Sequence, residues 1–472
     1  MKLILNGNIN RTYVQSLCMM FFHGEKFPEN EENSSKVLTV NSYDTEFGIE
    51  CDCVLEVNGK IAKSKGFAKF IDGEKYERTS KSAIGMAVYK AGVEITKKAI
   101  PWGILTGIRP SKVAYELISQ YGDLEANNIL KSRYFLSENK AELAVRVAKN
   151  EGEILKINNN NNCSLYISIP FCPSRCSYCS FISYATPKLF ELIPRYVEKL
   201  TNEIVSTLNE IKHQGLNLLT IYIGGGTPTV LTENQLELIL KAIYDNIDVN
   251  QLMEFTLEGG RPDTITDEKL KIAKKYGVDR ISVNPQTLND KVLESIGRKH
   301  TVNDFLEAYE RVKKSGIKFV NTDLIAGLEN DSFESFKSTV DKIIDLNPYN
   351  ITVHSFSVKK SAQILRDNED IYFKDNDFAV KSVDYAYEKL TACGYEPYYM
   401  YRQKNTVCDL ENVGYAKKGT FGLYNVLMMS DCHTVYGVGA GATTKIVKNF
   451  DGKIEINRIF SKKYPYEYLQ DK

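Results

Sequence analysis

The chain has 472 residues, with 60 Lys plus Arg balanced by 60 Asp plus Glu and 43% hydrophobic residues. That length leaves room for a large core and more than one domain, and the even charge excludes a global basic field for nucleic acid or a membrane surface. No apolar run nears the roughly 18 residues needed to cross a bilayer, and "MKLILNGNINRTYV" turns polar too soon for a signal peptide, so a cytoplasmic protein is expected.

Residues 1–160 mix short β-like runs, "KLILNG" and "CDCVLEV", with helical patterns such as "SAIGMAVYKAGVEI" and "KAELAVRVAKNEGEIL". This reads as an N-terminal α+β domain. Cys51 and Cys53 fall on one face of a strand, with no partner cluster close by in sequence. Trp102, in "IPWGILTGIRPSK", reads as a packed aromatic before a helix. The asparagine run in "KINNNNNCSLY" continues neither helix nor strand and marks a boundary.

Beyond it, apolar runs at 165–171, 219–226, 253–260, 279–286, 317–327 and 350–358 alternate with amphipathic patterns such as "RYVEKLTNEIVSTLNEI". Buried strands alternating with helices make a parallel sheet, and six such units predict a (β/α)6 partial TIM-type barrel over 161–392. Chemistry in such sheets sits at the carboxyl ends of the strands. The cysteines after the first run, "GGGTP", Glu258, Gln286 and Asp323 all fall there. From Tyr395 the alternation stops, and 393–472 reads as a small C-terminal region covering the substrate. "GVGAGA" (437–442) opens no βαβ unit, so it is not read as a dinucleotide fingerprint.

Ten cysteines fit a reducing compartment. Seven are scattered (Cys18, Cys51, Cys53, Cys163, Cys393, Cys408 and Cys432) and read as buried thiols packing as small hydrophobes. Cys172, Cys176 and Cys179 differ, because they follow directly on strand "LYISIPF" between Pro170 and Phe181. Thiolates suit zinc or iron–sulfur centres. A structural zinc wants four closed ligands, and Cys163 lies at the other end of that strand. Three thiolates on a four-iron cluster leave one iron open to an exogenous ligand.

The C-x3-C-x2-C spacing with an aromatic before the last cysteine resembles the radical S-adenosylmethionine (SAM) superfamily signature, and "YISIPFCPSRCSYCSF" resembles its coproporphyrinogen III dehydrogenase branch, which includes the HemN, HemW and HemZ groups. "PWGILTGIRPSK" is similar to the HemZ group in particular. The resemblance implies a [4Fe–4S] cluster on Cys172, Cys176 and Cys179, with SAM on the open iron. It implies SAM contacts from Tyr166, Tyr178, Gly225, Gly226, Thr227, Glu258, Gln286, Arg298, Asp323 and Ser357. "GGGTP" would take the methionine amino group, Glu258 the ribose hydroxyls, and Arg298 a carboxylate of SAM or substrate. It further implies a tetrapyrrole substrate, an electron donor such as flavodoxin or ferredoxin, and a SAM-derived radical that turns propionates into vinyl groups with loss of CO2.

Two features depart from the patterns of those branches. Phe181 stands where the decarboxylating branch carries a further cysteine, and "FGLYNVLMMSD" lacks the histidine of the chaperone branch's haem-binding motif. The sequence therefore carries three functions forward: oxygen-independent decarboxylation of coproporphyrinogen III, a haem chaperone of the HemW type, and another radical SAM reaction on a tetrapyrrole, such as methyl transfer or ring opening. His354 and His433 are the histidines considered for a porphyrin.

Overall fold

A computed structural model describes residues 1–29, 34–179, 184–357, 377–403, 409–450 and 453–470. The chain divides into two compact units, one made of Met1–Ala148 with the described residues of 400–411, the other of the remainder.

In the first unit β1 (Lys2–Asn6), β2 (Lys36–Asp44), β3 (Gly48–Val57) and β4 (Lys60–Lys69) form a sheet in chain order, with β1 parallel to β2 and the rest antiparallel. One face is apolar every second residue: Leu38 and Val40, Ile49, Cys51, Cys53 and Leu55, Ala62 and Ala68 are buried. Cys51 and Cys53 thus share the core face, and burial pushes both thiols up to about 12, which keeps them protonated and inert. Trp102 is fully buried, and its indole N–H donates to Glu411 Oε2 at 2.6 Å.

The second unit is built on parallel strands in sequence order: β5 (Asn162–Ile169), β6 (Asn217–Gly225), β7 (Glu254–Glu258), β8 (Arg280–Ser282), β9 (Phe319–Ala326) and β10 (Asn350–Ser355). These are the six expected runs, and the helices between them are amphipathic. Ile193–His213 buries Tyr196, Val197, Leu200, Ile204, Leu208 and Ile211, a three-and-four spacing that lays one stripe on the sheet. Glu233–Tyr244 starts on a capping box from Thr232 and Gln235, Val302–Ser315 on one from Thr301 and Asp304.

The C-terminal residues add strands to the same sheet. β11 (Tyr395–Arg402) and β12 (Glu411–Lys417) extend it beyond β10, with β12 antiparallel to β10. β13 (Thr434–Val438) runs parallel to β5 at the other edge, followed by the antiparallel hairpin of β14 (Thr443–Phe450) and β15 (Lys453–Phe460). "GVGAGA" spans the end of β13 and the β13–β14 turn, with Gly439 and Gly441 at φ +90° and +74°, and the element that follows it is a strand. Between β12 and β13 the helix Leu423–Met429 takes the Glu254 carboxylate on its first amide groups, with Leu423 N donating at 2.7 Å. Arg280, paired with Glu254 at 3.5 Å, donates to the carbonyl of Thr420. Glu254 and Arg280 both open their strands, so this helix lies at the amino-terminal end of the barrel. Among the described residues, no helix is long and apolar enough to cross a membrane.

Candidate functional site

The strand register decides which side chains share a level of the barrel. Tyr166 pairs with Tyr222 and Tyr222 with Thr256, and two residues further along each chain come Ser168, Gly224 and Glu258, the last paired with Ser282. The aromatic layer is completed from the amino-terminal end by Tyr424 of helix Leu423–Met429. Its ring stacks on Tyr222 at 4.5 Å and on Tyr166 at 6.2 Å between centroids. These three rings separate the Glu254–Arg280 end from a polar upper level at the strands' carboxyl ends.

Above β5 the chain turns into the cysteine loop. Its neck is tied by Cys172 N to Tyr184 O at 3.0 Å and Tyr184 N to Pro170 O at 2.9 Å. Three further contacts steady it: Ser177 N to Ile296 O at 3.1 Å, Arg261 Nη1 to Ser174 Oγ at 2.8 Å, and Thr227 Oγ1 to Cys172 Sγ at 3.4 Å. Cys172, Cys176 and Cys179 are half-exposed, whereas Cys18, Cys51, Cys53 and Cys163 are buried. Cys163 sits at the start of β5, and burial pushes its thiol up to about 12. Cys393 and Cys432 are exposed, which corrects their reading as buried thiols: one follows the helix ending at Ala392, the other precedes β13. Cys408 and Phe181 lie outside the described residues.

The glycines after β6 meet the loop. Gly226 N donates to Ile169 O and Thr227 N to Phe171 O, both at 2.8 Å. A Cβ on Gly226 would lie 2.5 Å from Phe171 O, so only glycine allows this approach. Gly225 holds φ +108°, a conformation that side chains disfavour. Glu258, at the end of β7, accepts from the Tyr222 hydroxyl at 2.5 Å. Burial pushes its carboxyl up to about 7.

From the last residue of β8 onward, the side chains of Ser282, Asn284 and Gln286 fall at alternate positions. All three are buried, and Ser282 Oγ, Asn284 Oδ1 and Gln286 Oε1 have no hydrogen-bond partner. Gln286 also holds φ +69°, fixed by its N to Asp323 O at 3.0 Å and by Ile325 N to its own O at 2.9 Å. A left-handed non-glycine residue costs on the order of 1 kcal/mol and collects at functional sites. Arg298 Nη1 donates to Asn284 O at 2.6 Å, while its Nε is buried without a partner. Burial opposes the Arg298 charge, but Tyr178 and Cys176 beside it more than offset this and hold its pKa above the ordinary range.

From β9 and β10, Asp323 Oδ2 lies 3.9 Å from His354 Nε2, and His354 Nδ1 lies 3.3 Å from Asn412 Oδ1. Ser357 is half-buried, just past β10. His433 is elsewhere: its nitrogens meet Ser164 Oγ at 2.7 Å and Asn158 Oδ1 at 2.6 Å, and burial drops its pKa to about 3. It is a packed structural histidine rather than a porphyrin-facing group. Sequence reading missed Tyr424, Ser282 and Asn284. The last two had a signal in "DRISVNPQ", where polar residues alternate in a strand expected to be buried on both faces.

The chemistry of the donors fits the cofactors. Half-exposed thiols on a tethered loop, side-chain-free backbone at Gly224–Gly226 and a row of buried unpartnered polar atoms suit an iron–sulfur cluster and a small polar ligand beside it. Among the described residues no three His, Cys, Asp or Glu side chains could hold a single metal ion. A four-iron cluster takes each thiolate on a different iron and so needs them further apart.

Comparison with known proteins agrees. The radical SAM superfamily model matches residues 166–343. The chain is 34% identical over 379 residues to the oxygen-independent coproporphyrinogen-III oxidase-like protein HemZ of Bacillus subtilis, covering 79% of this chain and 75% of that one. It is 33% identical over 282 residues to the heme chaperone HemW of Lactococcus lactis, covering 59% and 69%. The solved structure of coproporphyrinogen III oxidase HemN from Escherichia coli shares the fold, with a TM-score of 0.53 at 21% identity over 68% of this chain and 71% of that one. The barrel and its loop are thus those of a radical SAM protein, with a [4Fe–4S] cluster and SAM as its cofactors. Within that class the chain belongs to the oxygen-independent coproporphyrinogen III oxidase-like family.

Proposed function

We propose that the protein oxidatively decarboxylates coproporphyrinogen III without oxygen, converting propionates to vinyl groups on the way to haem. Supporting this reading is the similarity to HemZ over 79% of the chain, which extends well beyond the superfamily domain. Cys172, Cys176 and Cys179 would hold the cluster, the backbone at Gly225–Thr227 the methionine end of SAM, and Glu258 its ribose. Arg298 would meet a carboxylate through its unpartnered Nε, while Gln286, Asp323, Tyr166, Tyr178 and Ser357 would line the remainder. When bound, the cofactors supply a carbon-centred radical able to abstract hydrogen from an unactivated position. The chain's own part is to bind, to orient and to exclude water. The Tyr166–Tyr222–Tyr424 layer closes the barrel from below, so substrate enters from the carboxyl ends of the strands. A reductant such as flavodoxin or ferredoxin would deliver the electron at the exposed side of the cysteine loop.

A second reading, a haem chaperone, is favoured by the 33% identity to HemW. One assay separates the two. Anaerobically reconstituted protein is given SAM, dithionite and coproporphyrinogen III; protoporphyrinogen formed together with 5′-deoxyadenosine is the expected result. Deoxyadenosine without decarboxylated product would point to a different tetrapyrrole reaction, and tight haem binding without SAM cleavage to the chaperone.

A further inference from the structure

We propose that Tyr222 is a positioning residue: its hydroxyl fixes the Glu258 carboxylate as an acceptor for a vicinal diol, the ribose of SAM. This rests on the radical SAM reading of the site and adds to it a residue that the motif does not contain.

The geometry carries the case. The Tyr222 hydroxyl donates to Glu258 Oε1 at 2.5 Å. The ring cannot swing away, because Tyr424 stacks on it at 4.5 Å and 21° and Tyr166 at 6.2 Å and 24°. Two residues on, Gly224 makes room for the pair, since a Cβ there would lie 2.7 Å from the Tyr222 ring and 2.8 Å from Glu258 Oε2. "GGGTP" therefore serves the carboxylate as well as the loop. Burial and a hydrogen bond to a carboxylate both keep the Tyr222 phenol protonated, so it remains a donor across the accessible pH range.

Glu258 is faced from every side. Asp323 of β9, His354 of β10, Tyr166 of β5, Tyr424 of the helix Leu423–Met429 and the Gly225 amide of β6 surround it. Burial pushes its carboxyl up to about 7; the Tyr222 hydrogen bond pulls down, Asp323 pushes up, and the Gly225 amide and His354 pull down. Only the ionised form can accept from both ribose hydroxyls, so SAM should bind more tightly as pH rises through this value. Removing the Tyr222 donor destabilises the carboxylate and moves that transition to higher pH.

The test is calorimetric SAM binding to the reconstituted protein from pH 6 to 9, for the wild type, Tyr222→Phe and Glu258→Gln. Methionine, which carries the same amino and carboxylate groups without ribose, is the second probe. The wild-type affinity for SAM is expected to rise with a midpoint near 7. Tyr222→Phe, which keeps the ring stack, should move the midpoint up by about one unit and bind severalfold more weakly at neutral pH. Glu258→Gln should flatten the ribose-dependent rise, and methionine should distinguish none of the three proteins. A Tyr222→Phe profile superimposable on the wild type would overturn the role of Tyr222 while leaving the site intact. Wild-type protein that carries its cluster but binds no SAM would instead overturn the radical SAM reading, and this inference with it.

Discussion

A Cβ placed on Gly226 would stand 2.5 Å from the carbonyl oxygen of Phe171, the residue before the first loop cysteine. The end of β6 and the neck of the cysteine loop are therefore one packing unit. Gly226→Ala must displace one or the other, an overpacking that costs about 1–3 kcal/mol. The expected result is folded protein that takes up severalfold less iron and sulfide on reconstitution. Wild-type iron content in this variant would show that the contact does not shape the cluster site.

The cysteines divide by exposure as well as by spacing. Cys172, Cys176 and Cys179 are half-exposed, while Cys163 is buried at the far end of the same strand. Alanine at any one of the three should abolish the iron–sulfur chromophore and reduce 5′-deoxyadenosine release to background. Cys163→Ala should keep both, losing only about 1 kcal/mol of packing. Retention of the chromophore in Cys176→Ala would contradict the ligand assignment.

The barrel was readable because its strands are largely buried, which writes six apolar-rich runs alternating with amphipathic helices, with the cysteines, the glycines and Glu258 at their ends and Asp323 inside β9. Where a side chain's role depends on a neighbour distant in sequence, reading stopped. Tyr424 reaches the barrel from a short helix more than 200 residues after Tyr222, and nothing in "FGLYNV" indicates that its ring meets Tyr166. The C-terminal strands were also illegible as part of the barrel sheet. β15 is exposed along nearly its whole length, so it lacks the alternation that marks a half-buried strand. Gly226 was legible as a special backbone position, but its close approach to Phe171 O joins two segments far apart in sequence and leaves no local trace.

Acid should destabilise the fold in part through His433. Its pKa is depressed to about 3 in the folded chain by burial and then by Lys445, against about 6.5 when unfolded. The unfolded state therefore binds the extra proton, and stability present above about pH 6.5 is lost as pH falls toward the folded value. The slope from this one residue is at most about 1.4 kcal/mol per pH unit. His433→Gln can still bond to Ser164 and Asn158 but cannot titrate. Urea midpoints measured between pH 6.5 and 4 should show that much less pH dependence than the wild type; an unchanged slope would mean that His433 titrates normally.

The first unit holds a buried charge pair, with the Arg402 guanidinium also facing its carboxylate. Lys140 Nζ donates to Glu411 Oε1 at 2.7 Å, with side chains 2% and 0% exposed, and Trp102 donates to the other carboxylate oxygen at 2.6 Å. Removing one partner leaves a desolvated charge, which for Glu411 the Arg402 guanidinium offsets only in part, so Lys140→Met or Glu411→Gln alone should cost up to about 3–5 kcal/mol. Combining them removes both charges, while the amide oxygen that replaces the carboxylate can still accept from the indole. The double variant should thus recover most of the loss. Trp102 is the only tryptophan in the chain, so its fluorescence during urea unfolding reports on this unit directly. Additive losses in the double variant would mean that the two side chains contribute independently rather than as an ion pair.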